Sequence, residues 1–178
     1  MKKMLAPSLE KLDDYYKTYW KYLEGDDLLL ILNRQTYTTS NWLNGIPEKI
    51  QDHVYMPGKW MLKEVVGHLC DTERILSYRA LCFSRNEKKE LPGFDENAYM
   101  LNSNYKSRQL SDIIEEWKAI RTSSICLFSS MDDEAADREG IANGATVTPR
   151  ILLYFILMHE RHHAQVMKDR YLLSSASI

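Results

Sequence analysis

The chain has 178 residues, of which 44% are hydrophobic, and a formal net charge of −2. This length and composition are typical of one globular domain with a sizeable core. The small net charge gives no reason to expect a nucleic-acid or anionic-membrane partner, and no apolar run approaches the ~20 residues that span a bilayer. The N-terminus lacks the apolar run of a signal peptide, and the three cysteines are widely spaced without a CxxC motif. We therefore expect a cytoplasmic protein with reduced cysteines.

Apolar residues recur three and four positions apart over four long stretches, which predicts amphipathic helices. The predicted helices cover residues 26–45, 60–85, 107–130 and 147–173. Nowhere does the sequence show the alternation that indicates strands. We predict an all-α fold, a four-helix bundle over residues 26–173, with a short N-terminal helical arm at 1–25 and a C-terminal tail at 174–178. The two longer connections, 45–59 and 86–106, leave room for crossovers between helices.

The last predicted helix contains His159 and His163, four positions apart. Histidines at this spacing share one face of a helix, with their Cβ atoms roughly 5–6 Å apart. Both rings can therefore reach one metal ion, to which an imidazole nitrogen binds at about 2.0–2.1 Å. His68 lies on the inward stripe of the second predicted helix and is the candidate for a third ligand. We predict a metal site made of these three histidines, with one position open to water or substrate.

Because Glu160 follows His159, the same stretch also reads HExxH, the metalloprotease motif in which the glutamate is a general base. In such enzymes a third ligand normally follows further along the chain, but no histidine lies after His163. Their fold also usually includes a sheet, for which this sequence offers no strands. We therefore do not interpret the motif as a protease site, and Glu160 stays a candidate for supporting the ligands.

Polar side chains about one turn from His68 are candidates to orient it through hydrogen bonds, as the outer partners of metal-binding histidines do. These candidates are Glu64, Asp71 and Thr72. Arg79 lies further along the same stripe and is a candidate for binding an anionic group of a substrate. The alternative for Arg79 is a buried ion pair with Glu73 or with an acidic residue of a loop.

Three further side chains are expected to lie outside the site. His162 is about 100° around the helix from His163 and should lie at the surface or behind the ligands. His53 falls in a predicted loop and should be solvated. Cys70 is about 200° around its helix from His68 and should face away from the metal.

Several segments together resemble the DinB-like superfamily of metal-binding four-helix bundles. They are Gly58–Arg74, Tyr78–Leu81, Leu91–Tyr99, and His159–His163 with Arg170-Tyr171. The resemblance spans about residues 26–173, and the matching segments follow one another in the same order as in the family. It implies a bundle whose metal, commonly zinc or nickel, is held by one histidine of the second helix and an HxxxH pair of the last. Those positions correspond here to His68, His159 and His163. The superfamily is similar in fold to bacillithiol- and mycothiol-dependent enzymes.

A divalent metal on three neutral imidazoles can activate either water or a thiolate. Our interpretation is a metal-dependent enzyme that activates water against a small-molecule substrate, as a hydrolase does. One alternative is an S-transferase that uses the same metal with a low-molecular-weight thiol of the bacillithiol type. A second alternative is a stress protein that binds a metal or ligand without catalysis. Aromatic residues are plentiful, which also makes a homodimer through one face of the bundle a candidate assembly.

Overall fold

The computed structural model describes residues 2–172. The α-helices, in chain order, are α1 (Asp14–Lys17), α2 (Leu28–Asn44), α3 (Glu48–Gln51), α4 (Leu62–Ser84), α5 (Glu96–Asn102), α6 (Leu110–Ser130), α7 (Asp133–Ala136) and α8 (Pro149–Val166). Single 3-10 turns lie at Leu9–Lys11, Trp20–Tyr22 and Tyr105–Ser107, and a π-helical segment, Met167–Leu172, continues α8. One antiparallel hairpin is formed by β1 (Gly140–Ala142) and β2 (Ala145–Val147).

The long helices α2, α4, α6 and α8 form the bundle. Helix α4 packs along α6 and α8, and α2 packs against the same two helices from the opposite side. Helices α2 and α4 therefore face each other across the bundle, although they are neighbours in the sequence. The connection 45–61 is thus a crossover, as the sequence allows. The connection 85–109, in contrast, joins α4 to its packing neighbour α6.

The ends of the predicted helices follow their capping residues. Asp27 accepts hydrogen bonds from the backbone N–H groups of Leu29 and Leu30 at the start of α2. Thr148 accepts one from the N–H of Ile151 at the start of α8, whose first residue is Pro149. These side chains satisfy amide groups that have no partner inside the helix, which fixes where each helix begins.

Helix α8 is the most enclosed element of the bundle. Every residue from Ile151 to Glu160 is buried, because α2 and α4 cover two sides and the N-terminal arm covers a third. The rings of Tyr16 and Tyr19 in this arm lie 5.1 and 5.0 Å from the ring of Phe155. The arm therefore covers a face of α8 that would otherwise meet solvent.

The expectation that the chain has no strands is wrong for residues 140–147. The two strands are only three residues long, too short for an alternating pattern to show. They are joined by Asn143 and Gly144, which both adopt positive φ, 54° and 74°. An Asn-Gly pair is the strongest short-range signal for a hairpin turn of this kind. Short helices also form within the two long connections, α3 in 45–59 and α5 in 86–106.

Residue 173, at the end of the last predicted helix, and the predicted tail at 174–178 lie outside the described residues. Of the helices within residues 2–172, none has the combination of length and apolar character needed to cross a bilayer.

Candidate metal centre

Three histidine side chains converge between α4 and α8. The Nε2 atom of His159 lies 3.2 Å from Nε2 of His68 and 3.0 Å from Nε2 of His163. The candidate ligand atoms of all three rings lie within 4.8 Å of one another. His68 and His159 are each only 7% exposed. The arrangement follows from two features of the fold: the one-turn spacing on α8 and the packing of α8 along α4.

The geometry of these rings fits a single divalent cation. Nitrogens bound to one tetrahedral zinc ion at about 2.0–2.1 Å lie about 3.3 Å apart, close to the separations seen here. A neutral imidazole has one N–H and one lone pair, so three Nε2 atoms that point at one another cannot all be satisfied by each other. A cation at the common point would satisfy every lone pair. The three histidines are therefore a group that could hold one metal ion.

Burial keeps these rings in the neutral form that binds metal. Burial lowers the pKa of His68 to about 4, and the carboxylate of Glu96 opposes this shift. Burial, followed by repulsion from the neighbouring histidines, holds the pKa of His159 well below its ordinary value. The same two causes lower the pKa of His163. At neutral pH all three imidazoles are thus available as ligands without losing a proton.

Of the predicted supporting residues, Thr72 is the one that reaches a histidine. Its Oγ1 lies 3.5 Å from Nδ1 of His68, the nitrogen that faces away from the cluster. Nδ1 of His163 is buried without a hydrogen-bond partner among residues 2–172. The support of the rings by hydrogen bonds is therefore sparse, and their orientation depends mainly on packing.

The other predicted supporting residues bind elsewhere. Glu64 accepts a hydrogen bond from the backbone N–H of Met61 at 2.7 Å, because the first turn of α4 has free amide groups. Asp71 accepts one from the hydroxyl of Tyr105 at 2.8 Å. No hydrogen bond joins either carboxylate to the three histidines in the described part of the chain.

Glu160 belongs to a buried ion network rather than to the metal centre. Its carboxylate lies 2.6 Å from Nη2 of Arg121 and also accepts a hydrogen bond from Thr39. Arg121 in turn pairs with Glu73 at 2.8 Å. This pairing excludes the role of general base that the HExxH motif would give to Glu160. The sequence offered no signal for the network, since its members come from four different helices.

Arg79 does not pair with Glu73, whose carboxylate is occupied by Arg121. Its Nη2 instead donates to the backbone carbonyl of Pro92 at 2.7 Å.

His162 is half-buried, with Nδ1 3.1 Å from the hydroxyl of Tyr22, which agrees with a place behind the ligands. The expectation that His53 is solvated is wrong, because its ring is half-buried and stands edge-on to the ring of Tyr171. Cys70 faces away from the histidines, towards the carbonyl of Ile113 on α6.

Several neighbours of the centre were not identified as site residues from the sequence. The ring of Trp60 lies 5.0 Å from His68, and the ring of Phe155 lies 5.3 Å from His159. The position of Phe155, one turn before His159, is the signal that could have identified it. Glu96 and Asn97, at the start of α5, give no such signal because the connection 85–109 folds back in a way that the sequence does not reveal.

A cleft of about 210 Å³ has His163 in its wall. Its walls include Trp60, Asn97 and Tyr171. One ring of the histidine cluster therefore borders a cleft, while His68 and His159 are almost fully buried.

Comparisons with known proteins agree with this architecture. The protein YfiT from Bacillus subtilis is similar in structure, with a TM-score of 0.66 over 86% of this chain and 85% of that chain, at 17% sequence identity. YfiT is described as a probable metal-dependent hydrolase with an unusual four-helix bundle topology. The predicted four-helix bundle is thereby confirmed as the fold. No curated protein matches the sequence significantly. The family model for the DinB superfamily matches residues 31–167, most of the chain, which confirms the resemblance seen in the sequence. This chain therefore belongs to the DinB superfamily.

Proposed function

We propose that this protein is a metal-dependent hydrolase of a small molecule. In this proposal His68, His159 and His163 hold one divalent cation, with zinc and nickel as the first candidates. The observation that carries the proposal is the convergence of three neutral Nε2 atoms, with His163 also in the wall of a cleft. The description of YfiT as a probable metal-dependent hydrolase supports the same activity.

A divalent cation on three neutral imidazoles supplies a strong Lewis acid, which lowers the pKa of a bound water to about 7. The side chains around it prepare the environment. Trp60 and Phe155 present apolar rings to His68 and His159, which lowers the local dielectric constant and strengthens electrostatic interactions. Both buried histidines are held in one orientation by this packing.

We assign Glu96 the role of proton acceptor in this reaction. It is the carboxylate whose charge acts on His68, and it is the first residue of α5, next to Asn97 in the wall of the cleft. Glu96 is exposed, and its side chain makes no ion pair in the described part of the chain. With a cation held by the three histidines, a carboxylate that has no fixed partner would be able to accept a proton from the attacking water and release it to solvent.

The size of the cleft limits the substrate. About 210 Å³ is below the ~300–1,000 Å³ typical of sites that enclose a drug-sized ligand. The protein should therefore act on a small molecule, or on the end of a longer one that stays outside the cleft.

The test combines metal analysis with an activity screen. Stoichiometric zinc or nickel should be found in the purified protein and lost from a His68→Ala variant, while His53→Ala, outside the cluster, keeps it. The loaded protein should hydrolyse small esters or amides without added thiol. If it consumes an electrophile only after bacillithiol or a similar thiol is added, the transferase alternative replaces the hydrolase. Equal metal content in the wild type and in His68→Ala would reject the metal site itself.

A further inference from the structure

A second pocket lies on α4, far from the histidine cluster. Its volume is about 290 Å³, and it is lined by residues of α4, by residues 91–94 and by Tyr99. Its walls include Ile75, Tyr78, Arg79, Pro92, Phe94 and Tyr99. Arg79 is eleven residues after His68 on the same helix, which corresponds to about 16 Å along the axis. A small ligand in this pocket would not reach the metal centre.

Arg79 is a buried cation without an anionic partner. It is 7% exposed, and no carboxylate lies within ion-pair distance of it among residues 2–172. The two other arginines nearby on this side of the bundle differ: Arg74 lies 2.5 Å from Glu116, and Arg121 pairs with two glutamates. Burial lowers the pKa of Arg79, but a guanidinium stays charged at neutral pH. A buried charge that lacks a counter-ion is costly, which makes this side chain the natural partner of an anion from outside.

The walls beside Arg79 are aromatic and open to solvent. Tyr78 is 58% exposed and Tyr99 is 50% exposed. The ring of Phe94 lies 5.3 Å from that of Tyr99, so the two form a single aromatic wall. Exposed rings around one cation are suited to a ligand that carries both a flat apolar part and a negative charge.

The pocket is held in shape by the hairpin β1–β2. The backbone of Leu91 bonds to Ile141 and Asn143 at 2.9 and 3.0 Å. Gly93 packs so closely on Asn143 that an added Cβ would lie 2.1 Å from its side-chain oxygen. The carbonyl of Pro92, between these two contacts, accepts the hydrogen bond from Arg79. Because the loop is fixed before any ligand arrives, little ordering would be needed on binding.

We propose that this pocket binds a small aryl anion, an aromatic ring that carries a carboxylate or a phosphate. The guanidinium of Arg79 pairs with the anionic group, and the rings of Tyr78, Phe94 and Tyr99 contact the aromatic part. This inference does not depend on the proposed hydrolase activity, since the metal centre contributes no residue to the pocket.

Calorimetric titration of the whole protein tests the inference with four probes: phenyl phosphate, benzoate, inorganic phosphate and benzamide. We expect one-site binding of phenyl phosphate, benzoate or both, and the preferred one identifies the anionic group. Binding should be about tenfold or more weaker in Arg79→Met, because a charge-assisted pair is lost. Inorganic phosphate lacks the ring and benzamide lacks the charge, so both should bind clearly more weakly than the preferred aryl anion.

Two further variants distinguish binding in this pocket from binding at the metal centre. Tyr78→Ala changes an exposed side chain, so the fold is kept, and aryl-anion binding should weaken by about two- to tenfold. His163→Ala should leave binding unchanged. Equal binding in the wild type and in Arg79→Met, or no saturable binding of either aryl anion, would overturn the inference. Loss of binding in His163→Ala would do so as well, since it would place the ligand at the metal centre.

Discussion

At the level of single residues, the orientation of the three histidine rings is set by the side chains packed around them more than by hydrogen bonds. Among residues 2–172, Thr72 approaches Nδ1 of His68, and Nδ1 of His163 is buried without a hydrogen-bond partner. Metal-binding histidines usually donate this second N–H to an oxygen, which fixes the ring and strengthens the ligand. Here Trp60 and Phe155 fix the rings by contact, so orientation is set by the apolar core.

The lowered pKa of the histidines predicts how stability depends on pH in the protein stripped of metal with a chelator. In the folded chain burial lowers the pKa of His68 to about 4, whereas in the unfolded chain it is near 6.5. Above about pH 6.5 neither state binds a proton here, and the full stability is present. Between about pH 6.5 and 4, His68 binds a proton in the unfolded chain but not in the folded one. The free energy of unfolding therefore falls as the pH falls.

Urea unfolding of the metal-free protein checks this expectation. It is measured at several pH values from about 7.5 to about 5, so that the series begins above the pKa of about 6.5 that histidine has in the unfolded chain. The free energy of unfolding should decrease steadily over the range. A His68→Asn variant removes one of the buried titrating groups and should show a shallower decrease. A free energy of unfolding that does not change with pH would contradict the prediction.

Glu96 gives a second prediction at this level. If it accepts the proton in the proposed hydrolysis, Glu96→Gln should lower kcat by about a hundredfold or more, with metal content unchanged. The matched control is Glu10→Gln, an exposed acid in the N-terminal arm, which should have no effect on kcat. Retention of full activity in Glu96→Gln would remove Glu96 from the mechanism while leaving the metal site intact.

At the level of elements, helix α4 contributes residues to both candidate sites, the histidine cluster and the second pocket. His68 lies in its first half and faces α8, while Arg79 lies in its second half and faces the loop 91–99. The close packing of the 3-10 turn at Tyr105 against α4 holds the connection 85–109 in place. This approach is possible because residue 67 is a glycine: a Cβ there would lie 2.4 Å from the ring of Tyr105.

Gly67→Ala should therefore destabilise the protein, although alanine is the better helix former. The ring of Tyr105 is buried and cannot move without breaking its bond to Asp71, so we expect a loss of about 1–3 kcal/mol in the free energy of unfolding. Gly45→Ala is the control, since its added Cβ meets no atom closer than 3.4 Å. Its effect should stay within about 0.5 kcal/mol. Equal unfolding curves for the two variants would show that Tyr105 adapts freely.

At the level of the whole molecule, the ion network of Glu73, Arg121 and Glu160 ties together α4, α6 and α8. All three side chains are almost fully buried, and Arg121 also lies over the ring of Trp117 at 4.8 Å. Two of these helices carry the histidines, and Glu160 directly follows His159. The network thereby fixes α8 relative to α4. The convergence of the three histidine rings depends on this arrangement of the two helices.

Arg121→Met should leave two carboxylates buried without a cation and cost about 3–5 kcal/mol. Chemical denaturation measures this directly, and metal retention should weaken in the same variant because α8 is no longer held in register with α4. Lys118→Met on the same helix removes one partner of an exposed pair with Glu115 and should change stability by less than about 1 kcal/mol. A small effect of Arg121→Met would mean that apolar packing alone positions the histidines.

Local features of the chain were enough to predict the long helices and to identify three candidate metal ligands. The periodic apolar stripes and the spacing of His159 and His163 each involve residues only a few positions apart. For that reason the four long helices and the candidate ligands could be predicted before any packing was known. The short hairpin was missed because three-residue strands have no period to detect, although Asn143-Gly144 is a local turn signal.

Which side chains meet across the bundle depends, in contrast, on the packing of the whole chain. The rotation of α4, α6 and α8 against one another decides these pairings. It brings Glu160 to Arg121 and Asp71 to Tyr105, and it leaves Arg79 without a carboxylate. Those rotations result from the packing of the whole core and from crossovers between helices. No single stretch of residues encodes them, which is the physical reason why the position of Trp60, the ion network of Glu160 and the walls of the second pocket could not be predicted from the amino-acid sequence.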